Sequence, residues 1–236
     1  MIKDEWLFIV GCQRCATTSL VNFLGSFGKA YLPYPIRPER KPLLSKNWES
    51  EIINAGKEGF VNIDKATSYI EYPEVSELIA SNFDNYRVII SIRNPIDRAI
   101  SNYFFSVENG LENRPIEEAL FSKPDKDYGS VSVNPYEYIN RGFYCDFIEK
   151  FLKGIEWDRC KIVVAEEFIK DISYRKSIST WAGLEEGDNV FPHKNSAINS
   201  KVSVEKKIRE QLFEIYWKEN IKLEKTLGID LSIWYE

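Results

Sequence analysis

Short apolar runs alternate with stretches of helical period along this 236-residue chain. Four runs have the length and the β-branched or aromatic content of buried strands: residues 6–10, 59–63, 86–92 and 161–165. Helical spacing of apolar residues follows each of the first three, and a long helical pattern extends from Val204 to Leu227. The alternation predicts an α/β fold, a parallel sheet flanked by helices on both faces, as a single domain over residues 1–236. Ligand sites are then expected at the carboxyl ends of the strands.

Charge and cysteine content exclude several classes of protein. Lys and Arg total 31 against 36 for Asp and Glu, and the net charge of −5 argues against a nucleic-acid partner or an anionic membrane surface. Four cysteines are too few for a secreted disulfide scaffold, so we expect a cytoplasmic protein. The apolar run at residues 6–10 is too short for a signal peptide or a membrane span.

Two of the cysteines, Cys12 and Cys15, form a C-x-x-C pattern. No second Cys or His pair follows at zinc-ligand spacing, which argues against a structural metal site. A redox dithiol and a pair of small loop residues both fit the pattern.

The segment from Gly11 to Leu20 lies between a predicted strand and a predicted helix. Exposed backbone N–H groups and the helix dipole at such a junction favour phosphate, and Thr17, Thr18 and Ser19 add hydroxyl donors. A nucleoside-triphosphate P-loop reads G-x-x-x-x-G-K-[ST], whereas this chain has Ala16 in place of the second Gly and Thr17 in place of the Lys. The alternative interpretation is an ordinary helix start capped by Thr or Ser.

A second signal is Arg93, which ends the Ile-rich strand 86–92 eight residues before Ser101. The planar guanidinium at a strand end is suited to holding a phosphate group with two hydrogen bonds. A Mg²⁺-dependent NTPase would instead place an Asp at the end of such a strand. Asp64, at the end of another predicted strand, keeps an NTPase or a nucleotide kinase as an alternative.

Together these segments resemble the sulfotransferases that use 3′-phosphoadenosine 5′-phosphosulfate (PAPS), closest to the carbohydrate and bacterial members. The first family motif, G-x-x-[KR]-x-G-T-T-x-L, has Ala16 here in place of its second Gly. It is matched by Gly11, Arg14, Thr17, Thr18 and Leu20. The second motif, R-[ND]-P-x-x-R-x-x-S-x-[YF], is matched by Arg93, Asn94, Pro95, Arg98, Ser101 and Tyr103.

The resemblance extends over most of the chain. The segment from Asp64 to Tyr69, which contains Lys65, is similar to the family element E-K-[ST]-P-x-Y. Arg141-Gly-Phe-Tyr144 is similar to the G-x-Y element, and residues 227–234 are similar to the terminal L-G-x-D-L-x-x-W. The family therefore implies a P-loop-type parallel sheet and PAPS as co-substrate, without a metal ion.

The resemblance also implies roles for individual residues. Arg14 would neutralise charge on the leaving group, and Arg93 with Ser101 would bind the 3′-phosphate. The loop and two later residues would complete the cofactor contacts: Arg14, Cys15, Ala16, Thr17, Thr18, Ser19, Tyr144 and Lys194.

The general base is less well defined by the family pattern. Carbohydrate-type members carry a catalytic Glu in a K-E-x-x-F-F segment after the first helix, and here Glu39 precedes Arg40-Lys41-Pro in that region. Glu39 is the first candidate, His193 and Asp64 are its rivals, and Lys65 would assist near the transferred group.

The acceptor is expected between residues 30–50 and 105–135, where aromatic side chains are available to stack on a sugar or ring: Tyr31, Tyr34, Trp48 and Tyr128. The resemblance implies a glycan or small-molecule hydroxyl, less readily an amine, with release of 3′,5′-adenosine bisphosphate (PAP). A PAPS- or PAP-binding module without catalysis is a further alternative, because the K-E segment is broken.

Overall fold

The computed structural model describes residues 1–122, 134–184, 204 and 206–235. The chain divides into two compact units, of which the first comprises Met1–Ile92 and Ile148–Pro192. The second comprises Arg93–Phe147 and His193–Glu236. All strands of the described residues belong to the first unit.

The sheet of the first unit is parallel throughout. Its strands in the described chain are β1 (Ile2–Gly11), β2 (Ala30–Tyr31), β3 (Val61–Lys65), β4 (Phe83–Ile92) and β5 (Cys160–Val164). The order across the sheet is β2-β3-β1-β4-β5. Ile9 of the central strand pairs with Lys65 on one side and Ile89 on the other. The four predicted strands are confirmed, and among the strands of the described residues only the two-residue β2 was missed.

The α-helices of the described residues are α1 (Thr17–Leu24), α2 (Trp48–Ala55), α3 (Pro73–Asn82), α4 (Pro95–Glu108), α5 (Ile116–Phe121), α6 (Tyr144–Leu152), α7 (Ala165–Lys170), α8 (Ile172–Trp181) and α9 (Lys206–Leu227). Apolar spacing in the sequence predicts α1, α3, α4 and α9, and the phenylalanines from Phe143 to Phe151 predict an amphipathic helix at α6. A short helix is also expected near Trp48 within the proline-rich segment 30–50. The sequence shows no sign of α5, α7 or α8. No α-helix of these residues has the length and apolar content needed to cross a membrane.

Helices cover both faces of the sheet. On one face, Leu7 and Ile9 of β1 pack in a cluster with residues of α1, α7 and α8, including Phe23 and Ile178. On the other face, Trp6 and Phe8 contact Phe83, whose ring lies 6.4 Å from that of Trp48 in α2. The predicted parallel α/β fold with helices on both faces is therefore confirmed.

In the second unit, α4 begins as the sequence predicts. The Asn94 side chain accepts a hydrogen bond from the Ile96 N–H at 3.0 Å, and Pro95 occupies the first helical position. The inner face of α4 packs with α9 in a cluster that includes Ile100, Tyr103, Leu212 and Tyr216.

The inward face of α6 differs from the prediction. The spacing of Phe143, Phe147 and Phe151 predicts that all three are core residues, yet Phe143 and Phe147 are only half-buried. The buried positions include Tyr144, Ile148 and Phe151, which follow the i, i+4, i+7 spacing of a helix face.

Candidate functional site

The loop between β1 and α1 is held in place by the neighbouring strand. The Cys12 N–H donates to the Ser91 carbonyl at 2.6 Å, and the Ser91 hydroxyl donates to the Cys15 carbonyl at 2.5 Å. Gly11 also contributes, because a Cβ at that position would lie 3.0 Å from the Ile70 side chain. The carboxyl end of β4 thus fixes the path of the loop after β1.

Two residues of this loop, Arg14 and Ala16, have left-handed backbone conformations, with φ of 67° and 58°. Residues of this conformation next to a helix start turn successive N–H groups toward one point, which makes a concave anion site. The first amides of α1 have no acceptor within the helix, and its N-cap residue, Ala16, provides no side-chain cap. This geometry favours an anion-binding loop over an ordinary Thr- or Ser-capped helix start.

The side chains of the loop divide between interior and surface. Cys12, Cys15 and Thr17 are buried, whereas Arg14, Thr18 and Ser19 are partly exposed. Both cysteines are free thiols. In the described part of the chain, no group of three or more His, Cys, Asp or Glu side chains is arranged to hold a metal ion. The burial of Cys12 and Cys15 favours their interpretation as small loop residues.

Ala16 occupies the position where the family motif has Gly, and its positive φ explains that preference. An L-residue in this conformation is strained by roughly 1–2 kcal/mol, whereas Gly adopts it readily at some cost in entropy. We therefore expect Ala16→Gly to raise the free energy of unfolding by about 0.5–1 kcal/mol, measured by urea denaturation.

Ala80→Gly is the matched control for this substitution, because Ala80 lies inside α3. It should lower stability by about 1 kcal/mol, the helix-propensity cost of Gly. Equal losses in the two variants would show that the Ala16 backbone is not strained.

The structure brings together two of the predicted catalytic residues, Glu39 and Lys65. The Lys65 Nζ lies 2.5 Å from Glu39 Oε1. The backbone N–H and the hydroxyl of Thr67 each lie 3.0 Å from Glu39 Oε2. An ammonium, an amide and a hydroxyl thus orient this carboxylate. The Glu39 side chain is 23% exposed, whereas the Lys65 side chain is only 5% exposed.

Asp64 lies beside Lys65 in β3, but it has a different environment. The Tyr69 hydroxyl donates to Asp64 Oδ2 at 3.0 Å and accepts from the Leu43 N–H at 3.0 Å. The other oxygen, Oδ1, is buried with no hydrogen-bond partner among the described residues. Burial raises the pKa of Asp64 from 3.8 to about 7. Of the two side chains, Glu39 is partly exposed and Asp64 is buried, so Glu39 is the better placed of the two to meet an acceptor.

The raised pKa of Asp64 makes stability depend on pH. Between pH 4 and pH 7 the unfolded chain has lost this proton and the folded chain retains it. Stability should therefore fall as pH rises, by roughly 1.4 kcal/mol per pH unit from this group.

Asp64→Asn should remove this part of the pH dependence, because the amide oxygen still accepts from Tyr69 and does not titrate. Urea denaturation at pH 5 and pH 7 measures this change in the free energy of unfolding. Glu58→Gln, at an exposed position, should keep the wild-type slope. An unchanged slope in Asp64→Asn would mean that Asp64 is already ionised at pH 5.

The predicted 3′-phosphate residues lie in the second unit. The Arg93 carbonyl accepts a hydrogen bond from the Tyr144 hydroxyl at 2.7 Å. Tyr144 is 1% exposed, and Ser101 is buried on α4. The Tyr144 hydroxyl thus fixes the backbone of Arg93, a role that the sequence did not indicate. Its predicted contact with the cofactor stays a prediction. His193, Lys194 and Tyr128 lie outside the described residues.

Three of the aromatic side chains predicted to line the acceptor site lie in the described residues, and each contacts a neighbouring residue: Tyr31, Tyr34 and Trp48. The Tyr34 hydroxyl donates to the Glu51 carbonyl at 3.2 Å, and the Tyr31 ring lies 6.3 Å from that of Phe60. Sequence reasoning missed Arg37, whose Nη2 donates to the Thr18 hydroxyl at 3.2 Å. The sequence signal that could have identified Arg37 is a basic residue two positions before the candidate base Glu39.

The curated relative and the solved structures that are similar to this chain are named as sulfotransferases, in agreement with the motifs. No family model matches the chain. Mouse heparan sulfate glucosamine 3-O-sulfotransferase 3A1 is 22% identical over 165 residues, which is 69% of this chain. The chain spans 41% of that relative's length.

Solved sulfotransferase structures share the fold. A sulfotransferase from Alicyclobacillus acidocaldarius matches with a TM-score of 0.76 at 19% identity, covering 98% of each chain. The sulfotransferase domain from the Curacin biosynthetic pathway matches with a TM-score of 0.55 at 14% identity, covering 98% of this chain and all of that domain. The chain thus has the sulfotransferase fold, and the sequence match supports the family that the motifs predicted.

Proposed function

We propose that this chain is a PAPS-dependent sulfotransferase. It would transfer a sulfuryl group to a hydroxyl of a glycan or small-molecule acceptor and release PAP. The observation that carries the proposal is the ion pair between Glu39 and Lys65, which gives the sulfotransferase fold an oriented carboxylate on a partly exposed side chain. The sulfotransferase relatives support the reaction class.

The loop after β1 has the chemistry needed for the 5′ end of PAPS. Its left-handed residues and the first amides of α1 form an anion cradle, to which Thr17, Thr18 and Ser19 add hydroxyls. Ala16 would contribute its backbone N–H, whereas the Cys15 N–H donates to the Cys12 carbonyl at 3.2 Å, so Cys15 would shape the loop. The partly exposed Arg14 would neutralise charge on the leaving phosphate. PAPS, when bound, supplies the sulfuryl group.

The 3′-phosphate would be read by Arg93 and Ser101. A guanidinium and a hydroxyl are suited to that group, and the hydrogen bond from Tyr144 restrains the Arg93 backbone. Lys194 is retained as a further phosphate contact on the motif resemblance alone. Recognition of a 3′-phosphate is what would distinguish PAPS from ATP.

Glu39 would act as the general base. Its carboxylate would accept the proton of the acceptor hydroxyl while Lys65 and Thr67 keep it oriented. The Lys65 ammonium would also stabilise negative charge on the transferred group. His193 remains the alternative base predicted from the sequence.

Two further features support the proposal over a kinase or NTPase. Thr17 replaces the P-loop lysine that holds triphosphates, and Asp64 is hydrogen-bonded to Tyr69. The proposed reaction requires no metal ion. The four free cysteines support a cytoplasmic location, and one domain over residues 1–236 is proposed from the alternation of strands and helices alone.

Calorimetric titration with PAP and with ATP and Mg²⁺ tests the donor site. We expect micromolar binding of PAP that Arg93→Ala weakens by roughly 1–3 kcal/mol, as for a hydrogen bond to a charged group. Arg209→Ala removes an exposed arginine paired with Asp97 and should leave PAP affinity unchanged. Binding of ATP with Mg²⁺ but not of PAP would contradict the proposal and favour a kinase or NTPase.

A further inference from the structure

The segment that carries Glu39 is attached to the first unit at two neighbouring points. Arg37 Nη2 donates to the hydroxyl of Thr18 at 3.2 Å, on the loop after β1. Two residues later, Glu39 pairs with Lys65 and Thr67 at the end of β3. The pairing of β1 with β3 makes these strand ends neighbours. Residues 37–39, which include the proposed base, therefore connect the proposed phosphate loop to the end of β3.

The environment of Arg37 differs from that of the nearby Arg40. Arg40 lies 3.8 Å from the Glu51 carboxylate, whereas no carboxylate of the described residues pairs with Arg37. Arg37 is exposed, and its guanidinium has five N–H donors, of which one serves Thr18. The remaining donors are available to an anionic ligand at the loop.

We infer that Arg37 binds the oxygens of the sulfuryl group that the donor carries. This inference rests on the proposed function. The transferred group must lie between the 5′-phosphate, held by the loop of Thr18, and the acceptor hydroxyl, whose proton Glu39 accepts. Arg37 contacts Thr18 of the loop that would hold the 5′-phosphate, and it lies two residues before Glu39 in the chain. A planar guanidinium is suited to two oxygens of a tetrahedral oxyanion.

Comparing PAPS with PAP isolates this role, because the two ligands differ by the sulfuryl group alone. Binding of both is measured by calorimetry on wild type, Arg37→Ala, Arg37→Lys and the control Arg40→Ala. We expect Arg37→Ala to lower the affinity for PAPS by about tenfold to a hundredfold, as for a hydrogen bond to a charged group. The affinity for PAP should stay within about twofold of the wild-type value. Arg37→Lys should recover part of the PAPS affinity, and Arg40→Ala should change neither ligand.

The outcomes separate this inference from the proposed function. If wild type binds neither ligand, the proposed function fails. If wild type binds both and Arg37→Ala weakens them equally, the guanidinium serves the 5′-phosphate and the inference is overturned. Unchanged affinity for both ligands in Arg37→Ala would also overturn it. Arg37 is on the surface, so thermal denaturation of the variant should match that of wild type and exclude misfolding as the cause.

Discussion

Parallel pairing of β1 with β3 on one side and β4 on the other is the constraint on which the proposed donor loop and base depend. The register that aligns Ile9 with Lys65 and Ile89 brings three carboxyl ends to one edge of the sheet. The loop after Gly11, the Lys65 ammonium and the Ser91 hydroxyl are thereby neighbours. Ser91 fixes the loop through Cys15, and Lys65 fixes the carboxylate of Glu39. A shift of one residue in either strand pair would turn these side chains to the opposite face.

Burial and ion pairing together determine which side chains are charged at the carboxyl ends of these strands. Lys65 is almost fully buried, and its ammonium is compensated by the Glu39 carboxylate. Asp64, one residue away, is fully buried, and this burial raises its pKa to about 7 although the Tyr69 hydroxyl donates a hydrogen bond to it. Near pH 7 the chain thus has one paired carboxylate on a partly exposed side chain and one buried carboxyl that is about half protonated. The first can accept a proton from an acceptor, and burial reduces the negative charge that the second adds.

Much of this arrangement was predictable from sequence because it depends on local pattern. Strand, glycine and helix period define β1 and α1, and Asn94-Pro95 defines the start of α4. The motif resemblance also selected Glu39 and Lys65, which the structure joins. The contact of Arg37 with Thr18 was not predictable, since it depends on the path of a proline-rich segment between distant elements. The buried face of α6 was predicted wrongly because the prediction followed the spacing of the phenylalanines. The smaller residues Cys145 and Ile148 are buried there as well.

The central claim is that Glu39, oriented by Lys65, accepts the proton of an acceptor during sulfuryl transfer. It is tested most directly by following radiolabelled sulfate from PAPS into a panel of hydroxyl acceptors, with slow release to water as the baseline. Wild type should label at least one acceptor, and Glu39→Gln should reduce the rate by about 10²–10⁴-fold, the range for general-base catalysis, while keeping PAP affinity. PAP binding with no labelled product from any acceptor and no release above the uncatalysed rate would contradict the account and favour a binding module without catalysis.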